Sequence, residues 1–178
     1  MKTHAKKLLF IVLAITFCLS SLSGCNQTEE IVLNVDWNAI PNATFPESPP
    51  IMIVTDGKSE NTVWWSTYSW YVVEDGKLLS GKEVCGAASP LSQKDNLQAI
   101  TLSKRCKLML AFEVPPTSVT VKRYKLSATD YNDFKEIEYI DETITARAGD
   151  YLYEVHAHWD DPDQPYSGTA YYSFRTTK

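Results

Sequence analysis

Glu154, His156 and His158 alternate with Val155 and Ala157 in the stretch YEVHAHW, residues 153–159. On a strand, alternate residues share a face. One face would then carry a carboxylate and two imidazoles, and the other Tyr151, Tyr153, Val155, Ala157 and Trp159. Carboxylate and imidazole are ligands for zinc, copper or nickel. The same alternation also describes the solvated side of a half-buried strand that binds nothing. No second cluster supplies an obvious fourth ligand.

The loop that follows, DDPDQPYSG, brings Asp160, Asp161 and Asp163 together. Calcium takes several oxygen ligands from a shaped loop. The EF-hand spacing is absent, and Pro162 with Pro165 already describes a turn. ATDYNDFKE, residues 128–136, reads as a solvated loop. No G-x-S-x-G, H-E-x-x-H or glycine-rich phosphate loop occurs. The pattern therefore points to a non-enzymatic binding module. Metal binding through Glu154, His156 and His158 is the second reading, and a hydrolase the third.

The aromatic row Trp64, Trp65, Tyr68, Trp70 and Tyr71 could serve as a platform for carbohydrate or a partner. Strand alternation divides it, with Trp64, Tyr68 and Trp70 on a face that fills the core and Trp65 and Tyr71 opposite.

The cysteines place the chain. Lys2, Lys6 and Lys7 precede the apolar run Leu8 to Leu19, too short for a membrane span of about 20 residues and laid out as an export signal. The run ends in Leu-Ser-Gly-Cys, residues 22–25, which resembles the lipobox of bacterial lipoproteins. That resemblance implies cleavage before Cys25 and attachment of lipid to its thiol, with residues 1–24 removed. Two acyl chains anchor firmly, at about 0.8 kcal/mol per buried CH₂. Cys85 and Cys106 remain in the mature chain. In an exported protein they can pair, closing a loop of about 22 residues worth roughly 3 kcal/mol. They can equally stay reduced, with Cys106 simply buried.

Removal of residues 1–24 takes Lys+Arg from 17 to 14 against 22 acidic residues, a net charge of −8. Such a balance disfavours nucleic acid and anionic membranes as partners of the protein surface. Membrane contact is expected through the lipid, and the expected partner is a protein or another envelope component.

Glycine is sparse, and Thr, Val and aromatic residues are frequent, which favours strands. After a tether of residues 25–30, a domain over 31–178 should begin with a strand at Ile31–Trp37. A proline-rich connector spans residues 41–50. Further strands run from IMIVT onward, with Leu108, Leu110, Phe112 and Val114 sharing a face with Cys106. About eight or nine strands without an amphipathic helix read as an all-β sandwich.

AGDYLYEVHAHWDD with GTAYYSF, together with TYSWYV and LMLAFEVPPTSVTV, resembles small immunoglobulin-like lipoproteins of Gram-positive bacteria. The resemblance implies an immunoglobulin-like sandwich anchored on the extracytoplasmic face of the cell membrane, and it implies no activity.

Replacing Cys25 with Ala should abolish incorporation of a radioactive fatty acid into the mature protein. Label retained in the variant would show that the lipid is elsewhere or absent.

Overall fold

Stretches rich in Val, Ile, Thr and aromatic residues, punctuated by Gly, Pro and Asp, set the strand boundaries. The computed structural model describes residues 31, 33, 35–40, 45–75, 77–85 and 89–178. The export signal, Cys25 and the tether lie outside the described residues.

Among the described residues twelve strands form, rather than eight or nine: β1 (Met52–Thr55), β2 (Glu60–Val63), β3 (Trp65–Glu74), β4 (Lys77–Val84), β5 (Gln98–Thr101), β6 (Cys106–Phe112), β7 (Ser118–Lys125), β8 (Phe134–Ile137), β9 (Tyr139–Ile140), β10 (Thr143–Ala146), β11 (Tyr151–Trp159) and β12 (Tyr166–Thr177). The extra ones are short, two to four residues each, where the chain touches a ladder briefly.

A five-stranded sheet has the order β2-β1-β6-β10-β9, and a seven-stranded sheet the order β4-β3-β12-β11-β7-β8. β5 runs parallel to the second half of β12, while β3 pairs antiparallel with its first half. The path crosses from β6 to β7 and β8 in the seven-stranded sheet, returns at β9 and β10, and crosses again to β11 and β12. Antiparallel β11–β12 and β11–β7 pairs face antiparallel β1–β6 and β6–β10 pairs. This is the strand arrangement of an immunoglobulin-type sandwich, with the β3–β4 hairpin added to one edge. Near the start of β11, the Tyr153 hydroxyl accepts from the Arg147 backbone N–H at 2.9 Å. Immunoglobulin folds use a tyrosine in the same way at this corner.

The core lies between the sheets. Leu108, Leu110 and Phe112 of β6 face Val155, Ala157 and Trp159 of β11 and Tyr172 and Phe174 of β12 within one buried cluster. Cys106 and Val114 pack at its margin, as the alternation of β6 predicts.

Aromatic rings fill the end nearest the proline connector. Trp70 stacks on Tyr166 at 5.5 Å and meets Trp159 edge-on at 5.4 Å. Phe112 packs edge-on against Trp159 and Tyr172. Their polar atoms find carbonyls. Trp70 Nε1 donates to Pro46 O at 2.8 Å, Trp65 Nε1 to Pro49 O at 3.2 Å, and the Tyr172 hydroxyl to Pro50 O.

Two expectations change. Ile31, Leu33 and Val35 are half-buried but belong to no strand, and Trp37–Ala39 form one turn of 3₁₀ helix. Alternating apolar residues mark which side is covered; they do not supply a hydrogen-bonding neighbour. In the aromatic row, Tyr68 and Trp70 are buried, but Trp64 is 40% exposed and Trp65 packs on the core. The ladder explains this. Tyr171 faces Thr67 and Tyr172 faces Trp65, so Ser66 is an extra residue on β3. One inserted residue reverses the side on which the preceding residues fall.

The two cysteines are free thiols. Cys85 is exposed after β4 on an edge of the seven-stranded sheet, whereas Cys106 opens β6 in the other sheet, opposite Ala146. The expected pairing is not made: Cys85 is exposed and Cys106 half-buried, each as a free thiol. Burial, with Asp56 nearby, pushes the Cys106 thiol above its ordinary pKa, which keeps it protonated.

Gly168 sits where β12 passes between Trp70 and Trp159. A Cβ there would stand 2.2 Å from Ser69 O and 2.8 Å from the Trp70 ring. Gly168→Ala should therefore destabilise the protein by about 1–3 kcal/mol, the range for overpacked sites. Urea unfolding measures it, and an unchanged midpoint would refute the close approach.

Candidate functional site

β11 places Glu154, His156 and His158 on the outward side of the seven-stranded sheet, as alternation requires. Their surroundings differ sharply. Glu154 is buried, with 4% of its side chain exposed, while His156 is 22% and His158 45% exposed. An outward face should be wet; here it is covered beside Leu152 and Glu154.

The cover comes from the loop after β7. Its Tyr131 folds back and stacks on Tyr124 at 5.3 Å. Both hydroxyls donate to the Glu154 carboxylate, Tyr124 to Oε2 at 3.1 Å and Tyr131 to Oε1. His156 Nε2 lies 3.2 Å from Oε2, without the alignment of a hydrogen bond. The His156 ring rests on Tyr171 at 4.3 Å. Asp130 shapes the loop by accepting from the Asn132 backbone N–H at 2.8 Å. A second loop closes over the first, where Lys94 Nζ donates to Leu126 O at 2.9 Å.

These contacts set the proton chemistry. Burial alone would raise the Glu154 pKa, but the contacts with His156, Tyr131 and Tyr124 outweigh it and hold the carboxyl below its ordinary value. Burial, together with the Glu154 hydrogen bond and charge, pushes the Tyr131 hydroxyl up to about 12. The result is an anionic carboxylate held by two neutral phenols and an imidazole. Ser66, Thr67, Ser89, Pro90, Tyr131 and Tyr171 line a small cavity of about 230 Å³ above it.

The three-ligand metal centre does not form. His158 turns away from Glu154: its Nε2 is 3.4 Å from Asp160 Oδ2 and its Nδ1 3.4 Å from Thr169 Oγ1. Among the described residues, no three His, Cys, Asp or Glu side chains stand close enough to share an ion. Asp160, Asp161 and Asp163 do not converge either. Asp161 Oδ1 accepts from the Asp163 backbone N–H at 3.0 Å, which makes the segment a turn.

Sequence reading missed Tyr124 and Tyr131. Tyr124 shares the outward face with Glu154, two pleats along the neighbouring strand, which only the register reveals. Tyr131 lies in a polar loop, and no local pattern announces that its ring returns to the sheet.

The chain matches no protein-family model, no curated protein and no solved structure.

Because the folded pKa of Glu154 is depressed, its ionisation stabilises the fold above the unfolded value of about 4.3. That contribution is lost as pH falls through the folded pKa. Glu154→Gln should cost about 1–3 kcal/mol at neutral pH, the range for a buried charged hydrogen-bond partner. The gap between the two proteins should shrink below about pH 4. Thermal unfolding across this pH range checks the sign; a gap that widens on acidification would contradict it.

Proposed function

We propose that the chain is a non-enzymatic binding module, lipid-anchored through Cys25 on the extracytoplasmic face of the cell membrane. It would hold a protein partner along the open edge of its seven-stranded sheet. The lipobox-like layout around Cys25 supports the location. The groups best suited to chemistry, Glu154 and His156, are engaged with each other and with Tyr124 and Tyr131.

The observation that carries the binding reading is β4. It is an eight-residue strand that, among the described residues, pairs with β3 alone, and its residues are exposed along nearly its whole length. Leu78 and Leu79 are 63% and 60% exposed. An edge presents unpaired backbone N–H and C=O groups, the template that an extended peptide can complete.

The edge is partly guarded. Ser80 faces Val72 while Leu78 faces Val73, so Leu79 forms a bulge. The regular ladder is confined to Ser80–Val84. There the Tyr71 ring lies across Gly81, within 3.0 Å of where a Cβ would stand, and the Tyr71 hydroxyl donates to Glu83 at 2.7 Å. This rigid, straight segment beside two exposed leucines suits a short extended segment of a partner.

A photo-crosslinker at position 80 should give adducts in intact cells, and Leu78→Glu with Leu79→Glu should remove them without lowering stability. Adducts formed only with a second copy of the chain would make the edge a self-association surface. Adducts indifferent to the leucines would exclude the edge as the binding site.

A further inference from the structure

We infer that one end of the sandwich is a docking face for anionic lipid headgroups, which orients the domain on its membrane. The inference rests on the anchor reading of Cys25 for its biological setting, but its charge pattern stands independently. A net charge of −8 for residues 25–178 argues against anionic surfaces as partners. The structure shows that cations cluster toward one end, where Asp56, Glu60 and Asp150 also lie.

Strand register defines that end. Thr55 lies near it opposite Met109, Ala146 faces Cys106, and Tyr151 faces both Lys125 and Thr176. The β1–β2 turn, the start of β6 and the ends of β7, β10 and β12 are therefore neighbours. The Tyr153–Arg147 bond, and that from Thr176 Oγ1 to Arg147 O at 3.1 Å, join the two sheets there.

Two adjoining grooves open along this side, of about 440 and 220 Å³. Arg105, Lys107, Arg123, Lys125, Lys135 and Arg147 line them, and Arg123, Lys135 and Arg147 line both. Four carboxylates share the walls: Asp133, Glu136, Glu138 and Asp141. Among the described residues, none of the six cations forms an ion pair. Arg123 instead lies over the Tyr151 ring at 5.0 Å. Six of the fourteen cations of residues 25–178 thus gather here. Acidic groups gather at the opposite end, with Glu113 just past β6, Glu74 closing β3, Asp75 in the turn after it, and Asp160, Asp161 and Asp163 between β11 and β12.

The chain leading from Cys25 meets the sandwich at the cationic end. The Ile31 side chain packs against Gly57 in the β1–β2 turn. Ile31 lies six positions after Cys25, a reach of at most about 20 Å. A lipid on Cys25 would hold this end close to the bilayer. The nine residues of β11 set the acidic loop about 30 Å further away. At physiological ionic strength the screening length is about 8 Å. The membrane would therefore sense the six cations of the grooves against their four carboxylates, and little of the distant acidic loop.

The test uses the mature chain carrying Cys25→Ala, so that no lipid contributes, with vesicles of phosphatidylglycerol and phosphatidylcholine against phosphatidylcholine alone. Sedimentation should show binding to the anionic vesicles only, and high salt should release it. Arg105→Gln, Lys107→Gln and Arg147→Gln are exposed positions, and each should weaken binding about fivefold. Lys77→Gln with Lys82→Gln, on β4, should leave binding unchanged. Equal binding to both vesicle types, no binding, or equal loss in the β4 variant would overturn the proposal. So would competition by millimolar inorganic phosphate, which would make the grooves a pocket for a soluble anion. A failed fatty-acid label on Cys25 would instead refute the anchor and leave the vesicle result standing.

Discussion

The sandwich depends on how buried aromatic side chains satisfy their polar atoms. Trp65, Trp70 and Tyr172 each bury a large ring and a hydrogen-bond donor that cannot be left unpaired. All three donors reach carbonyls of one short segment, at Pro46, Pro49 and Pro50. Proline suits that role. It offers an acceptor and carries no N–H that would need a partner of its own. Pro49 and Pro50 can therefore be buried at the mouth of the core without creating a new deficit. Trp159 obtains the same satisfaction from Val114 O, just before the Pro115-Pro116 pair that follows β6. Proline-rich connectors thus close the aromatic end of both sheets and allow the rings between them to pack edge to face.

The polar centre on the outer face follows the same logic with charges. A carboxylate in that position needs donors, and Glu154 draws them from two elements, Tyr124 on β7 and Tyr131 from a loop, with His156 Nε2 of its own strand 3.2 Å away. The loop is therefore ordered by a side chain of the sheet. Lys94, donating to Leu126, extends the same restraint to the neighbouring connection. The arrangement accounts for a buried glutamate without any ligand.

Much of this was legible in the residues themselves. Alternation correctly separated Tyr153, Val155, Ala157 and Trp159 from Glu154, His156 and His158, and it found the inward face of β6. It failed where one residue or one distant contact changed the outcome. Ser66 bulges and exchanges Trp64 for Trp65, which no local pattern encodes. Ile31, Leu33 and Val35 alternate without a ladder, because pairing belongs to the neighbour as much as to the strand. His158 leaves Glu154 for Asp160, a preference of rotamer and loop rather than of spacing. Net charge was also read as a single number, although Arg105, Lys107 and Arg147 lie at one end and Asp160, Asp161 and Asp163 at the other.

The placement of β12 has a kinetic consequence. It comes last of the twelve strands, yet it lies inside the seven-stranded sheet, flanked by β11 on one side and by β3 and β5 on the other. Ser69 meets its partner Thr169 only after a hundred residues of intervening chain. Contacts this distant in sequence close slowly, because the loop entropy must be overcome before the ladder rewards it. A chain made or threaded from its N-terminus can form the β3–β4 hairpin early, but that hairpin has nothing to dock on until β12 appears. Sheet completion is thus a late and cooperative event, and the nascent molecule stays pliable until its last strand is in place.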